Sequence, residues 1–227
     1  MALPITTELP DRSAPLATRI MARDFLLAKL GSLFAILPLG VWTVNHLWNQ
    51  FAAWNGAAAW ETSVEGHQSP AGAFVTFVVV LGPLLWHTVW GILRMKRTRF
   101  NTDLSRFSNV RYWLQRLSAV GLLLFLGAHL WLAWFQPRFV EGHPEAFIDL
   151  AHEMHFHLPT LAVYLLGTLG IAYHLANGLW SFCMGWGLTV SKSALAWMER
   201  ISLIVFVLLL AIGWSAVYAL YSAGVNT

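Results

Sequence analysis

The chain has 227 residues, of which 57% are hydrophobic and 11% are charged, and its formal net charge at pH 7 is +3. Because a soluble domain carries about 25% charged residues, this composition predicts an integral membrane protein and excludes an ordinary soluble domain. The single cysteine, Cys183, lies in an apolar segment, which excludes a disulfide framework and a cysteine-rich metal site.

Residues 1–24 are predicted to form a polar, cytoplasmic N-terminal segment. They combine prolines and threonines with charged side chains. They have no apolar stretch ahead of a small-residue cleavage site, so they are not expected to be a signal peptide. The remainder, 25–227, is predicted to be one transmembrane domain.

Five apolar stretches follow in chain order, each long enough for the roughly 20 residues that a helix needs to cross a bilayer. Only helices and closed barrels satisfy their backbone groups in lipid, and unbroken apolar runs do not suit the alternating strands of a barrel. The sequence therefore predicts an all-α integral membrane protein, with five transmembrane helices in a bundle. The predicted spans are 30–50, 71–93, 117–135, 158–183 and 201–222.

The basic residues predict the orientation. All but one of the 14 lie before the first span, between spans two and three, or between spans four and five. The opposite side has only Arg138, together with Glu61, Glu65, Glu141, Glu145, Asp149 and Glu153. By the positive-inside rule the N-terminus is cytoplasmic and the C-terminus is outside. The basic loops favour contact with anionic lipid headgroups, and docking of a cytoplasmic protein there is compatible with them.

Four spans carry one histidine each, namely His46, His87, His129 and His174. An ionisable residue within a membrane is costly and marks a functional site by default. At about 1.5 Å of rise per residue, His46 and His129 lie roughly 6–9 Å from the outer boundary of the bilayer. By the same measure His87 and His174 lie roughly 9–14 Å from the inner boundary. The sequence thus predicts two levels, each with two histidines from different helices.

Two histidines facing each other across a bundle suit bis-imidazole ligation of a haem iron. Two such pairs would form an electron path across the membrane. The alternative is that these histidines only make hydrogen bonds between helices. Zinc is disfavoured because no two of them form an H-x-x-x-H pattern, and a proton relay is disfavoured because the spans contain no carboxylate.

Four motifs carry a resemblance to a known family. They are LPLGVWTVNHLWNQF (37–51), GPLLWHTVWG (82–91), LQRLSAVG with HLW (114–131), and HLANGLWSF with WGLTV (174–190). Over about residues 25–222 the chain resembles the cytochrome b membrane-anchor subunit of succinate:quinone oxidoreductase (succinate dehydrogenase or fumarate reductase), of the five-helix, two-haem type.

The resemblance implies that His87 and His174 ligate a proximal haem b and that His46 and His129 ligate a distal haem b. It also implies a flavoprotein subunit with FAD and an iron–sulfur subunit as partners in the bacterial cytoplasmic membrane. Electrons would pass from succinate to a quinone, typically menaquinone. Fumarate reduction shares this scaffold, so the direction stays open, and no nucleic-acid partner is expected.

Several further residues are candidates for the cofactor sites. Arg116 is expected to pair with a haem propionate, because guanidinium binds carboxylates bidentately, or else to snorkel at the boundary. Lys29 and Ser32 are placed to contact a propionate or a quinone. Asn177, one turn after His174, is expected to hydrogen-bond near the haem or to a neighbouring helix.

Two positions depart from the family pattern. A histidine often found just before Ser32 is Gly31 here, which puts an inner quinone role in doubt. A glutamate that some relatives carry two residues before the fourth histidine is Ala172, so a proton pathway through it is not carried over.

The acidic side contains the candidates for an outer quinone site, which are Glu61 and Glu65 with His67 behind them. The stretch AHEMHFH (151–157) adds His152, His155 and His157 just before the fourth span. These histidines could bind a metal or line the quinone pocket, but a solvated interfacial helix is the favoured interpretation.

Two other functions compete with this interpretation. One is the haem subunit of a nitrate reductase or formate dehydrogenase, in which two ligands often share one helix. The other is a haem-free membrane anchor or transporter subunit.

Overall fold

The computed structural model describes residues 16–65, 69–97 and 107–226. Within these residues the chain is almost entirely helical and contains no strand, so the predicted all-α membrane fold is confirmed. Five helices are long and apolar enough to cross a membrane, as the sequence predicts.

We label seven helices in chain order. The five spans are α1 (16–55), α3 (Pro70–Arg97), α4 (Phe107–Glu141), α6 (Leu158–Gly185) and α7 (Lys192–Ala223), and two short helices, α2 (Ala57–Glu65) and α5 (Phe147–Phe156), join spans. Helix α1 begins at Leu16, inside the segment predicted to precede the first span. The observed spans are longer than the apolar stretches because helical hydrogen bonding continues into their polar ends.

Wide π-helical turns interrupt three of the spans, and each lies beside a proline. They are Ala35–Gly40 in α1, Thr76–Leu81 in α3, and Trp131–Phe135 with Pro137–Glu141 in α4. Pro38 lies inside the turn of α1, Pro83 lies two residues after the turn of α3, and Pro137 begins the last turn of α4. Because proline has no N–H and its ring clashes with the preceding turn, a local widening keeps the helix continuous.

The two ends of the bundle differ in charge. The basic end carries Arg94, Lys96, Arg97, Arg111, Lys192 and Arg200, and the acidic end carries Glu61, Glu141, Glu145, Asp149 and Glu153. At the basic end an ion pair of 4.0 Å joins Arg97 to Asp24. Lys29 also donates a hydrogen bond to the backbone oxygen of Gly185, which ties α1 to α6.

The short helices α2 and α5 close the acidic end. Trp60 of α2 and Met154 of α5 are buried in one apolar cluster that also includes Tyr164 and Leu220. The indole Nε1 of Trp60 donates to Gln50 Oε1 at 2.8 Å, so its one polar atom is satisfied. This end of the bundle is therefore a packed cap.

Helices α6 and α7 are the most buried of the five spans. In the most apolar stretch of each span, 33% of the residues are buried in α7 and 22% in α6, against 6% in α3 and in α4. Ser202 of α7 donates to the backbone oxygen of Ala176 at 2.8 Å. Ala172 is fully buried beside Leu47 and Leu209. A carboxylate at position 172 would lie in this apolar cluster, where an unpaired charge is costly.

Candidate functional site

The four intramembrane histidines meet in the two pairs expected from their depths. The ring centroids of His87 (α3) and His174 (α6) are 6.2 Å apart, with an interplanar angle of 77°. Those of His46 (α1) and His129 (α4) are 5.9 Å apart, with an angle of 72°. Each pair therefore bridges two helices that are not adjacent in the chain.

The ring of His87 is held by a backbone oxygen. Its Nδ1 lies 3.1 Å from the oxygen of Gly31 on α1. A carbonyl oxygen only accepts hydrogen bonds, so Nδ1 carries the hydrogen and Nε2 keeps its lone pair. That tautomer leaves Nε2 able to bind a metal.

The ring of His174 is held from α4. Its Nδ1 lies 3.1 Å from Ser118 Oγ, and Ser118 in turn donates to the backbone oxygen of Gln115 at 2.9 Å. Because the hydroxyl hydrogen is used on Gln115, Ser118 Oγ is left to accept from Nδ1. The amide nitrogen of Gln115 also lies near, 3.3 Å from Nδ1 and 3.2 Å from the backbone oxygen of His174. We assign its hydrogen bond to the backbone oxygen, which is the nearer of the two.

Aromatic side chains enclose the other pair. Nδ1 of His129 lies 3.2 Å from the hydroxyl oxygen of Tyr164, and the ring stacks on Phe125 with centroids 5.5 Å apart. His46 stacks on Trp42 at 4.6 Å and an angle of 9°. His87, His174 and His129 each have Nδ1 beside an oxygen, an arrangement typical of metal-ligating histidines.

The spacing within the pairs fits a metal between the rings. An imidazole nitrogen lies about 2.0–2.1 Å from a bound zinc ion and about 1 Å from its own ring centre, so two imidazoles on opposite sides of a metal have centroids roughly 6 Å apart. Both observed distances lie near this value. One turn after His87, a Cβ on Gly91 would meet nothing within 4 Å among the described residues.

Buried donors near both pairs fit an acidic cofactor. Several have no hydrogen-bond partner within 16–65, 69–97 and 107–226, namely Nε1 of Trp42, the hydroxyl of Tyr112, Nε1 of Trp180 and Oγ1 of Thr189. Trp42 stacks on His46, whereas the other three belong to the basic end. Buried polar atoms normally have partners, and carboxylates such as haem propionates would supply acceptors.

Two of the candidates at the basic end, Lys29 and Ser32, connect α1 to the end of α6. Lys29 lies over the ring of Trp186 at 4.9 Å, and Ser32 accepts a hydrogen bond from Trp186 Nε1 at 3.0 Å. The guanidinium of Arg116 lies 4.2 Å from the ring centre of Tyr112. Lys29 and Ser32 therefore lie where α1 meets the end of α6, whereas this contact of Arg116 lies within α4.

Asn177 makes its hydrogen bonds to a neighbouring helix, one of the two roles expected for it. It accepts from Arg111 Nε at 3.1 Å and donates to Gln115 Oε1 at 2.8 Å, both on α4. Sequence reasoning missed Gln115, Ser118 and Tyr164 as partners of the histidines. Nothing in a single sequence shows which residues of one helix face a histidine of another.

The candidates for an outer quinone site are only partly described. Glu61 lies half-buried on α2, at the acidic end. Glu65 ends this helix, but its side chain and all of His67 lie outside the described residues. Sequence reasoning did not single out Glu145, whose pKa burial raises to about 8, although Arg138 acts in the opposite direction.

The three histidines of 151–157 have structural contacts. The helix expected there is present as α5, and it buries Phe147, Leu150, Ala151 and Met154 as well as meeting solvent. His155 Nδ1 lies 3.0 Å from the backbone oxygen of Tyr221, and His157 Nδ1 lies 2.7 Å from Thr160 Oγ1. His152 packs against Phe156. In the described part of the chain, no three metal-binding side chains come together.

Together these features define a class of protein, an integral membrane protein whose spanning helices hold two pairs of facing histidines. No family model matches the chain. It is 30% identical over 202 residues to the succinate dehydrogenase cytochrome b558 subunit of Bacillus subtilis (strain 168), an alignment that covers 87% of this chain and 97% of that protein. The chain therefore belongs to the family of succinate dehydrogenase cytochrome b subunits, as the sequence motifs predict.

Proposed function

We propose that this chain is the di-haem membrane anchor of a succinate:quinone oxidoreductase. His87 and His174 hold one haem b, and His46 and His129 hold the other. The observation that carries the proposal is the pairing of four intramembrane histidines from four helices, with centroids 6.2 and 5.9 Å apart, close to the separation of two imidazoles that share one metal. When bound, the haems supply one-electron transfer between the iron–sulfur subunit and a quinone, which takes up two electrons.

The protein's own part is to fix the ligands. Gly31 and Ser118 hold hydrogen on Nδ1 of His87 and His174, and Tyr164 lies at the same atom of His129. Such partners orient the imidazole and raise its basicity. The apolar surroundings of the spans exclude water and so help to set the redox potential.

The charges indicate the side of the membrane on which the partner subunits would dock. The basic end is placed on the cytoplasmic side by the positive-inside rule. There it would meet the iron–sulfur subunit, with the FAD-containing flavoprotein beyond it. This end combines exposed basic residues with the pair His87 and His174, so electrons would enter at that pair.

The acidic end would then be the site of quinone chemistry. We place quinone, in the form of menaquinone, near His46 and His129, with Glu61, Glu65 and His67 as candidate proton donors. The half-buried carboxyl of Glu145 joins them, because a carboxyl with a pKa of about 8 is protonated at neutral pH and able to give up a proton.

The first test is the haem content of the purified complex, measured per copy of this chain with a reduced-minus-oxidised spectrum. We expect two haems. His46→Ala or His129→Ala should remove one haem and abolish quinone reduction while dye-linked succinate oxidation persists. His87→Ala or His174→Ala should remove the other haem.

The matched control is His143→Ala, because His143 is an exposed histidine at the acidic end whose contacts are to Glu141 and Asp149. It should keep both haems. A complex that contains no haem would leave the four histidines as hydrogen-bonding residues between helices. Unchanged quinone reduction after loss of the His46–His129 haem would refute the placement of quinone at the acidic end.

A further inference from the structure

A line of hydrogen bonds runs from the half-buried Arg111 to the backbone of His174. Arg111 Nε donates to Asn177 Oδ1 at 3.1 Å, and Asn177 Nδ2 donates to Gln115 Oε1 at 2.8 Å. Gln115 Nε2 then donates to the backbone oxygen of His174 at 3.2 Å. We call Arg111, Asn177 and Gln115 the relay. Each of the three hydrogen bonds joins α4 to α6.

The direction of the relay is fixed by Arg111. A guanidinium has only donors, so Asn177 must present its oxygen to Arg111 and its nitrogen to Gln115. Gln115 is thereby oriented with its oxygen toward Asn177 and its nitrogen toward His174. Each amide dipole consequently has its positive end toward His174, and the orientations do not depend on an arbitrary choice of amide flip.

The relay is well enclosed. Asn177 is 5% exposed, and the side chain of Arg111 is 15% exposed. The guanidinium lies over the ring of Trp180 at 3.9 Å, and its Nη1 donates to Glu199 Oε1 of α7 at 3.2 Å in an ion pair. Glu199 is half-exposed. The positive charge is thus held in place from two further sides, at the basic end of the bundle.

We propose that Arg111, Asn177 and Gln115 are positioning residues that raise the redox potential of the His87–His174 site. This inference rests on the proposed function. The charge of Arg111, partly offset by its ion pair with Glu199, and two aligned amide dipoles favour the electron-rich state of a nearby centre, and they act more strongly in a medium of low dielectric constant than in water. The relay also links that site to Glu199, on the surface where electrons arrive.

The test is a redox titration of both haems in the purified complex, with Arg111→Gln, Arg111→Lys and Asn177→Leu. Arg111→Gln and Asn177→Leu should lower the midpoint potential of the His87–His174 haem. Arg111→Lys keeps the charge and should restore most of the potential. In every variant the potential of the His46–His129 haem should stay where it is, which provides an internal reference.

Ser202→Ala is the matched control. It removes another buried hydrogen bond between helices, to the backbone oxygen of Ala176, next to Asn177 but outside the relay. Both potentials should be unchanged in it. If Asn177→Leu does not assemble, the comparison of Arg111→Gln with Arg111→Lys alone tests whether the relay raises the midpoint potential.

The outcomes separate this inference from the proposed function. Two haems per chain with unshifted potentials in Arg111→Gln and Asn177→Leu would overturn the relay and leave the proposed function standing. An equal fall in the midpoint potential of the His87–His174 haem in Ser202→Ala would overturn it as well. Any loosening of α6 would then be enough to lower that potential. An unmodified complex without haem would overturn both.

Discussion

The hydroxyl oxygen of Tyr164, on α6, lies 3.2 Å from Nδ1 of His129, on α4. The same tyrosine packs edge-on against Phe125, which stacks on the histidine ring. Tyr164 therefore orients His129 both by a hydrogen bond and by packing.

Tyr164→Phe should keep the fold and weaken the site at His129. Loss of the hydroxyl leaves Nδ1 without this partner, and loss of such a partner costs about 10–100-fold in metal affinity. A less basic ligand also favours the reduced metal, so the midpoint potential of that haem should rise. Haem retention during dilution and a redox titration measure the two effects. Tyr218→Phe, at an exposed tyrosine of α7, is the control and should change neither.

Gly31→Ala should destabilise the contact between α1 and α3. A Cβ at this position would lie 2.6 Å from Cε3 of the Trp90 ring, which is too close for either to stay in place. Overpacking of this kind costs about 1–3 kcal/mol. It would also move the backbone oxygen that holds His87, so haem at His87–His174 should be lost more readily on heating.

Gly121→Ala is the control for this experiment. A Cβ there would meet nothing within 4 Å in the described part of the chain, and alanine is the better helix former by about 1 kcal/mol. Its unfolding temperature in detergent should equal or exceed that of the unmodified protein. An unfolding temperature for Gly31→Ala as high as for Gly121→Ala would contradict the packing argument.

Glu145 should make stability depend on pH. Burial raises its pKa from 4.5 to about 8, with Arg138 opposing and Asp149 adding to the rise. When the pKa of a carboxyl is higher in the folded state than in the unfolded state, the free energy of unfolding falls as the pH rises. For Glu145 this fall is expected between about pH 4.5 and pH 8. Glu145→Gln mimics the protonated form.

Thermal unfolding at pH 5.5 and pH 8 tests this. Glu145→Gln should raise the unfolding temperature at pH 8 and change it less at pH 5.5. Asp149→Asn is the comparison, since Asp149 is an exposed neighbour and should give a smaller effect. An equal change at both pH values would show that the carboxyl is not ionised on unfolding.

The charge asymmetry predicts which end of the bundle can be labelled from outside the cell. In a Cys183→Ser background, Glu141→Cys should react with an impermeant maleimide in intact spheroplasts. Lys192→Cys, at the exposed start of α7, should react only after the membrane is opened. The reverse pattern would invert the proposed orientation and move the docking of the partner subunits to the acidic end.

Much of the fold was predictable from the sequence because lipid imposes strong constraints. Five apolar runs of sufficient length gave five spans, and helical rise placed His46 level with His129 and His87 level with His174. The helix α2 was not predicted, since its residues are mixed in polarity and its position depends on packing against Phe147. The helices also extend beyond the predicted spans, because hydropathy marks the lipid boundary and helical hydrogen bonds continue past it.

The environment of the histidines was not predictable from one sequence. Ser118, Gln115 and Tyr164 approach them from other helices, and their side-chain types are common in any span. Gly31 is instructive in another way. The sequence shows only that it departs from a family pattern, whereas the structure gives the reason, which is that the Trp90 ring occupies the space of any side chain there.

The unequal burial of the spans has a consequence for biogenesis. Helices α6 and α7 bury each other, so this hairpin can become compact as soon as it is inserted. Few residues of helix α3 are buried. On the proposed assignment, the haem bound by His87 and His174 would connect α3 to α6. In haem-starved cells we therefore expect backbone amides of α3 to exchange hydrogen fastest among the spans. The supply of haem would then limit the rate at which the newly made chain reaches its final fold.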